Sequence, residues 1–270
     1  MEFLSLKKNF PYDTVVVISP HPDDSCIAVG GLLYRLWRER TSCRTHVVVM
    51  TSGYRGVTDA YALTALAQSG TALGSDKERA RCARFLRNTS EARRTQRERQ
   101  EIQQVKSRIR WREVREEAKV LHFTPHFLDL SFYEEHCVTG RHHVALEQLL
   151  HALPSSDRSV VVYPTMWDMH ETHRLCSRLV DRTLAGPLSG LYQRWTYESP
   201  WVQSSSRPEV VFPLSEEDIR AKERATAVHW SQTARTPYEH LVQGVAIRNA
   251  AIVSELYGWP HLRTREYMGK

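Results

Sequence analysis

Residues 14–24 read Thr14-Val15-Val16-Val17-Ile18-Ser19-Pro20-His21-Pro22-Asp23-Asp24. Five β-branched residues in a row, with no polar alternation, predict a strand buried on both faces, as in a parallel sheet. The strand stops at Ser19-Pro20. Two prolines, an imidazole and two carboxylates follow at once, and then a helical pattern from Ser25 to Arg38 with Ile27, Leu32, Leu33 and Leu36 as its apolar positions. Asp24 or Ser25 is placed to cap that helix. His46-Val47-Val48-Val49-Met50-Thr51 is a second buried strand, ending in Ser52-Gly53. Strand, loop, helix and strand in this order argue for a parallel sheet with crossover helices.

The rhythm resumes downstream. Phe127–Leu130 reads as a short strand, Val144–Leu153 as a helix ended by Pro154, and Val160–Tyr163 as a strand stopped by Pro164. His170–Leu184 reads as a helix and Leu191–Glu198 as a strand. Ser215 to Asp218 resembles a capping box opening a further helix. Residues 54–109 break the pattern and read as an insertion, helical in part. Its Arg-rich part brings 14 Lys or Arg against 5 Glu between Lys77 and Arg115, enough to account for the net charge of +6 by itself. A run of that kind is usually a solvated helix face laced with Glu–Arg pairs. Sparse aromatics there speak against nucleic acid as a partner.

Composition sets the outer limits. With 270 residues, 41% hydrophobic and 25% charged, the chain suits one large α/β domain. No apolar run approaches the roughly 20 residues needed to cross a bilayer, and Met1–Phe10 lacks a signal-peptide pattern. A cytoplasmic protein without membrane contact is expected. Cys26, Cys43, Cys82, Cys137 and Cys176 are odd in number and scattered, so neither a disulfide framework nor a thiolate zinc site is indicated.

Two short constellations carry chemistry. In an open parallel sheet, ligands bind beyond the carboxyl ends of the strands, where His21, Asp23 and Asp24 stand. One imidazole and two carboxylates suit a borderline cation such as zinc, and Pro20 and Pro22 stiffen the loop. The competing reading makes the two carboxylates helix caps and His21 an ordinary loop residue. The second constellation, Asp168-Met169-His170-Glu171-Thr172-His173-Arg174, follows the strand Val160–Tyr163 and belongs on the same sheet edge. On a helix, His170 and His173 share a face. His21, Asp24 and one of these histidines would give three protein ligands and leave a fourth position for water. Trp167, beside this segment, is the best-placed aromatic for substrate contact. The pair His142-His143 opens a helix and is expected to face solvent.

With these residues in view, the chain resembles the LmbE-like, or PIG-L-like, zinc-dependent de-N-acetylase family. The resemblance rests on the strand running into Pro20-His21-Pro22-Asp23-Asp24, Gly30-Gly31, Thr51-Ser52-Gly53, Arg110-Trp111-Arg112-Glu113, Asp168–Arg174 and His229-Trp230-Ser231-Gln232. It implies that His21, Asp24 and His173 bind Zn2+ and that Asp23 is the general base for the attacking water. It further implies that His170 stabilises the oxyanion or protonates the leaving amine, that Asp168 orients His170, and that Arg110 lies towards the substrate pocket.

The expectation is therefore a single Rossmann-like α/β domain over residues 1–270, with a mostly parallel sheet, helices on both faces and an Arg-rich insertion at about 54–109. Its expected activity is zinc-dependent removal of an N-acetyl or other N-acyl group from an amino-sugar derivative such as an N-acetylglucosaminyl conjugate. A zinc amidase acting on a non-sugar or thiol conjugate, and a binding protein with a relic metal site, are the alternatives. The expected partner is a small amino-sugar molecule, and a homo-oligomer stays open.

Overall fold

The computed structural model describes residues 10–40, 42–68, 70–199 and 210–233, together with the strand backbones at 2–3 and 254–258. Five parallel strands form the centre of one sheet: β2 (Thr14–Ser19), β3 (Arg44–Val49), β4 (Thr124–Phe127), β5 (Ser159–Pro164) and β6 (Gln193–Tyr197). Their spatial order is β4-β3-β2-β5-β6. Beyond β6 the sheet continues with β8 (Ser254–Gly258), antiparallel to its neighbours, then β7 (Val210–Pro213) and β1 (Glu2–Phe3). The chain thus forms a single α/β domain in which the order of the parallel strands reverses between β2 and β5. A crevice opens at such a switch point, beyond the carboxyl ends of the two strands.

Strand β2 explains why the sheet needs helices on both sides. Alternate side chains of a strand point to opposite faces. Val15 and Val17 pack with Leu32 and Leu36 of α1 (Asp24–Glu39), Val114 of α4 (Gln96–Leu121) and Ala221 of α8 (Glu216–Ala227). Val16 and Ile18 pack instead with Leu146 and Leu150 of α6 (Gly140–Ala152) and Leu175 and Leu179 of α7 (Glu171–Ala185).

Three expectations change in detail. The fourth strand lies at Thr124–Phe127 rather than Phe127–Leu130. Pro125 is tolerated because β4 is the edge strand, and residues 128–130 still follow β3, with Leu128 N–H donating to Val49 O and Leu130 N–H to Met50 O. The helix that carries Arg110–Glu113 starts inside the stretch read as an insertion, at Gln96, where Thr95 and Glu98 form a capping box. Its first half joins α2 (Asp59–Gln68) and α3 (Asp76–Asn88) around a separate small core that includes Leu66, Leu86, Ile102 and Val105. His142 does not face solvent: it is buried, and its Nδ1 accepts from Thr139 N–H at the start of α6.

Candidate active site

Strand β2 delivers its loop in a fixed shape. Ser19 Oγ donates to His21 O at 2.6 Å and accepts from Ser25 N–H at 3.0 Å. Pro20 O accepts both the N–H and the hydroxyl of Thr51, at 3.2 and 2.8 Å. Gly53 has φ +61, and a Cβ there would stand 2.7 Å from Pro22 Cδ, so only glycine lets the two loops approach so closely. The Thr51-Ser52-Gly53 segment is thereby a brace for the His21–Asp24 loop.

Asp23 occupies the N-cap position of α1 yet makes no side-chain cap bond. Its carboxylate turns away and accepts from Arg110 Nη2 at 2.7 Å. Burial opposes its charge, but the Arg110 guanidinium holds its carboxyl below the usual range. Simple capping therefore does not account for Asp23. Asp24 Oδ2 accepts from His21 N–H at 2.8 Å and lies 3.1 Å from both His21 Nδ1 and His173 Nε2. His173 Nε2 and His21 Nδ1 are 3.3 Å apart.

These three atoms, from segments 152 residues apart in sequence at most, form a triangle 3.1–3.3 Å on a side. Ligands at about 2.0–2.1 Å from a tetrahedral zinc stand about 3.4 Å from one another, so the donor set fits such an ion. The second nitrogen of His173 supports the same reading. Its Nδ1 meets Asp168 Oδ2 at 2.8 Å, which fixes the ring and leaves Nε2 facing the other donors. Burial works against charge on His173, yet Asp24 and Asp168 on its two sides pull the imidazole up to about 10. The pocket is thus built to hold positive charge.

The structure corrects the role expected for Asp168. Its carboxylate pairs with the ring of His173; its other oxygen accepts the backbone N–H of His170, at 2.8 Å. The cause lies in the helix boundary. His170 is the N-cap of α7, with extended backbone, so it does not sit on the helical face that carries His173. Its ring still meets those of His21 and His173, each with centroid 4.8 Å away. Partial desolvation at the cavity wall, with His21 and His173 beside it, pushes its imidazole down to about 4. Ser199 Oγ donates to Asp168 Oδ2, a contact for which the sequence offered no signal.

Arg110 is 2% exposed and lines the cavity, but its guanidinium is held by Asp23 and, through Nη1, by Glu113 at 3.0 Å. Glu113 is held in turn by Ser231, whose N–H and hydroxyl donate to it at 2.6 and 2.9 Å. One helical turn further along α4, Glu117 accepts from Ser25 Oγ at 2.7 Å and pairs with His229 Nε2 at 2.9 Å. The sequence offers Glu113, His229 and Ser231 only as parts of motifs; the structure gives them a task. Cys26, Glu117 and His229 also stand close enough to be imagined around a metal. Both oxygens of Glu117 are already engaged, and the Cys26 thiol donates to Asp23 O at 3.1 Å. These three are bonded packing between α1, α4 and the segment after α8.

A cavity of about 700 Å³ opens over the triangle, lined by His21, Asp23, His170, Arg110, Arg55 and Tyr133 among others. Trp167 is not among the residues that line it, and the residue is 67% exposed. The loop that carries it turns at Thr165, whose hydroxyl accepts the Trp167 N–H.

The model of the GlcNAc-PI de-N-acetylase (PIG-L) family matches residues 16–184, a span holding both the His21–Asp24 loop and His173. The chain belongs to that family. A putative glucosamine-6-phosphate deaminase-like protein of Bacteroides thetaiotaomicron is 26% identical over 83% of this chain, and the match spans only 36% of that longer relative. N,N'-diacetylchitobiose deacetylase of Pyrococcus horikoshii shares the fold with a TM-score of 0.59 at 18% identity, over 93% of this chain and 87% of that one. So does the 4-carboxy-2-hydroxymuconate hydratase GalB of Pseudomonas putida KT2440, with a TM-score of 0.57 at 16% identity, over 95% and 100% of the two chains.

Proposed function

We propose that the protein is a metal-dependent amide hydrolase that removes an N-acetyl or related N-acyl group from an amino-sugar derivative, releasing the acid and the free amine. Family membership supports an N-deacetylase, and the observation that carries the reading is the triangle of His21, Asp24 and His173 beside an Asp23 that does not cap its helix. The residues that would hold the ion are those three, and zinc is the ion their donor types favour. When bound there, the ion supplies Lewis-acid polarisation of the amide carbonyl and acidifies the attacking water.

The remaining work falls to the chain. Asp23 is the base that takes the proton of the attacking water, and Arg110 fixes the carboxylate in the cavity wall. The departing nitrogen needs a proton, and the one Asp23 has taken balances the step. His170, neutral at physiological pH, serves as an N–H donor to the oxyanion rather than as an acid. The substrate is read as an N-acetylglucosaminyl conjugate, handled in the cytoplasm. No helix among the described residues is long and apolar enough to cross a membrane.

The test combines metal content with acetate release. The purified chain is expected to carry about one zinc, lost in Asp24→Ala and in His173→Ala. In Asp23→Asn the zinc should stay while acetate release from N-acetylglucosaminyl compounds drops by roughly 100-fold or more. A parent chain that takes up no metal after zinc addition, or full turnover in Asp23→Asn, would overturn the proposal.

A further inference from the structure

Among the charged side chains that line the cavity, nearly all have a partner of opposite charge on the wall itself. Arg110 is held by Asp23 and Glu113, Asp24 by His21 and His173, and Glu171 by His136 at 2.8 Å. Arg55 differs. It is exposed, it lines the cavity, and among the described residues no carboxylate reaches it as an ion pair. Its guanidinium lies over the Tyr133 ring, 5.5 Å from the centroid, is hydrogen-bonded to the Tyr54 side chain and feels the Glu134 carboxylate from beyond ion-pair distance. An arginine laid on an aromatic face is oriented without being neutralised, and the N–H groups not spent on Tyr54 are left for a planar or tetrahedral anion.

The backbone beneath Arg55 is also held. Gly56 N–H donates to Gly53 O and Val57 N–H to Tyr54 O, each at 3.0 Å, which closes a single tight turn. Gln232 Nε2 donates to Gly56 O at 3.1 Å, and a Cβ on Gly56 would press to 3.0 Å against the same amide. The last residue of the His229–Gln232 motif is therefore a clamp on the turn that presents Arg55. A long side chain on a clamped turn loses less freedom when it binds than one on a loose loop.

We infer that Arg55 is an anion-recognition residue of this cavity, and that the substrate carries a phosphate or carboxylate on the part of the molecule away from the acetamide. The inference rests on reading the cavity as the amide-hydrolase site. Arg110 cannot serve the same purpose, because two carboxylates already hold its charge. Arg55 keeps its charge for the ligand.

Two readouts separate the inference from the reading beneath it. The first is hydrolysis by the zinc-loaded protein of N-acetylglucosamine, of its esters phosphorylated at the anomeric or the primary hydroxyl, and of N-acetylmuramic acid. A charge-assisted contact predicts a preference of roughly tenfold in kcat/KM for at least one anionic compound over the neutral sugar. In Arg55→Gln that preference should collapse, chiefly through KM, and Arg55→Lys should restore part of it. The second readout is calorimetric binding of glucosamine and its two phosphates to the same three proteins, which needs no turnover. Arg55-dependent binding of a phosphate without any hydrolysis would sustain the anion site and remove the deacetylase reading. A preference or a binding constant that Arg55→Gln leaves unchanged would mean that the ion itself draws the anion, and would overturn the inference.

Discussion

At the scale of single residues, the site is a set of carboxylates each held by its own neighbours. Asp24 faces two imidazoles, Asp23 faces Arg110, and Asp168 faces His173 and Ser199. The proposed ligands His21 and Asp24 could be read from the sequence because they are three positions apart in a loop stiffened by prolines. The pairing of Asp168 could not, since it depends on where α7 begins, and helix ends are the least determined part of a sequence reading. Under the proposed function, Asp168 would act on the ion through His173. Asp168→Asn should keep the fold while weakening zinc affinity about 10–100-fold, the range for partners of ligating histidines. Competition with a chromophoric chelator reads this directly; unchanged affinity would show that the His173 ring is held by its packing alone.

At the scale of elements, two strand neighbours carry a second pair of imidazoles. His46 Nδ1 on β3 lies 3.1 Å from His126 Nε2 on β4. Burial, then His126 and Arg44, pushes His46 down to about 4. An unfolded His46 titrates near its ordinary 6.5. Between those two values the unfolded chain binds the extra proton, so this group costs stability progressively as pH falls from 6.5 towards 4. His46→Val removes its share and suits a strand. The fall in folding free energy over that window should shrink by about 1–2 kcal/mol after allowance for solvent screening. Denaturant titrations at several pH values check it, and parallel curves for parent and variant would place the pH dependence elsewhere. The Arg-rich segment shows a different kind of legibility. Its charge pattern predicts ion-paired helix faces, and Arg81 and Arg97 indeed pair with Glu101, and Arg94 and Lys106 with Asp59. The small core beside it was not evident, because Leu86 and Ile102 are spread thinly among charges and join Leu66 of α2 only when three helices pack.

For the whole molecule, the decisive feature is that the His21–Asp24 loop and the segment leading into His173 of α7 leave the sheet at adjacent strands where the strand order reverses. A metal that bridges β2 to α7 binds only the folded chain, so it adds to stability by mass action. Zinc at 100 times its dissociation constant should contribute about 2.7 kcal/mol, seen as a higher melting temperature that a chelator abolishes. His173→Ala should melt at one temperature with or without zinc; a zinc-dependent shift in that variant would place the ion at another site. The same fold also carries a hydratase, so architecture by itself does not name the reaction; the side chains at the switch point must.

Local sequence determined the parallel α/β architecture, three strands read at 14–18, 46–51 and 160–163 and found at Thr14–Ser19, Arg44–Val49 and Ser159–Pro164, and the segments with the proposed ligands that follow the first and last of these. Continuous β-branched runs and proline-stopped strand ends are properties of neighbouring residues, and they survive without tertiary context. Only the tertiary structure decided that Arg110 locks Asp23 rather than reaching freely for substrate, that Glu113, Glu117, His229 and Ser231 stand behind it, and that Trp167 stays out of the cavity lining. Each of these depends on how a distant helix is rotated and packed, and a buried charge takes whichever partner that packing brings within hydrogen-bond reach, since leaving it unpaired costs more than any local preference can offset.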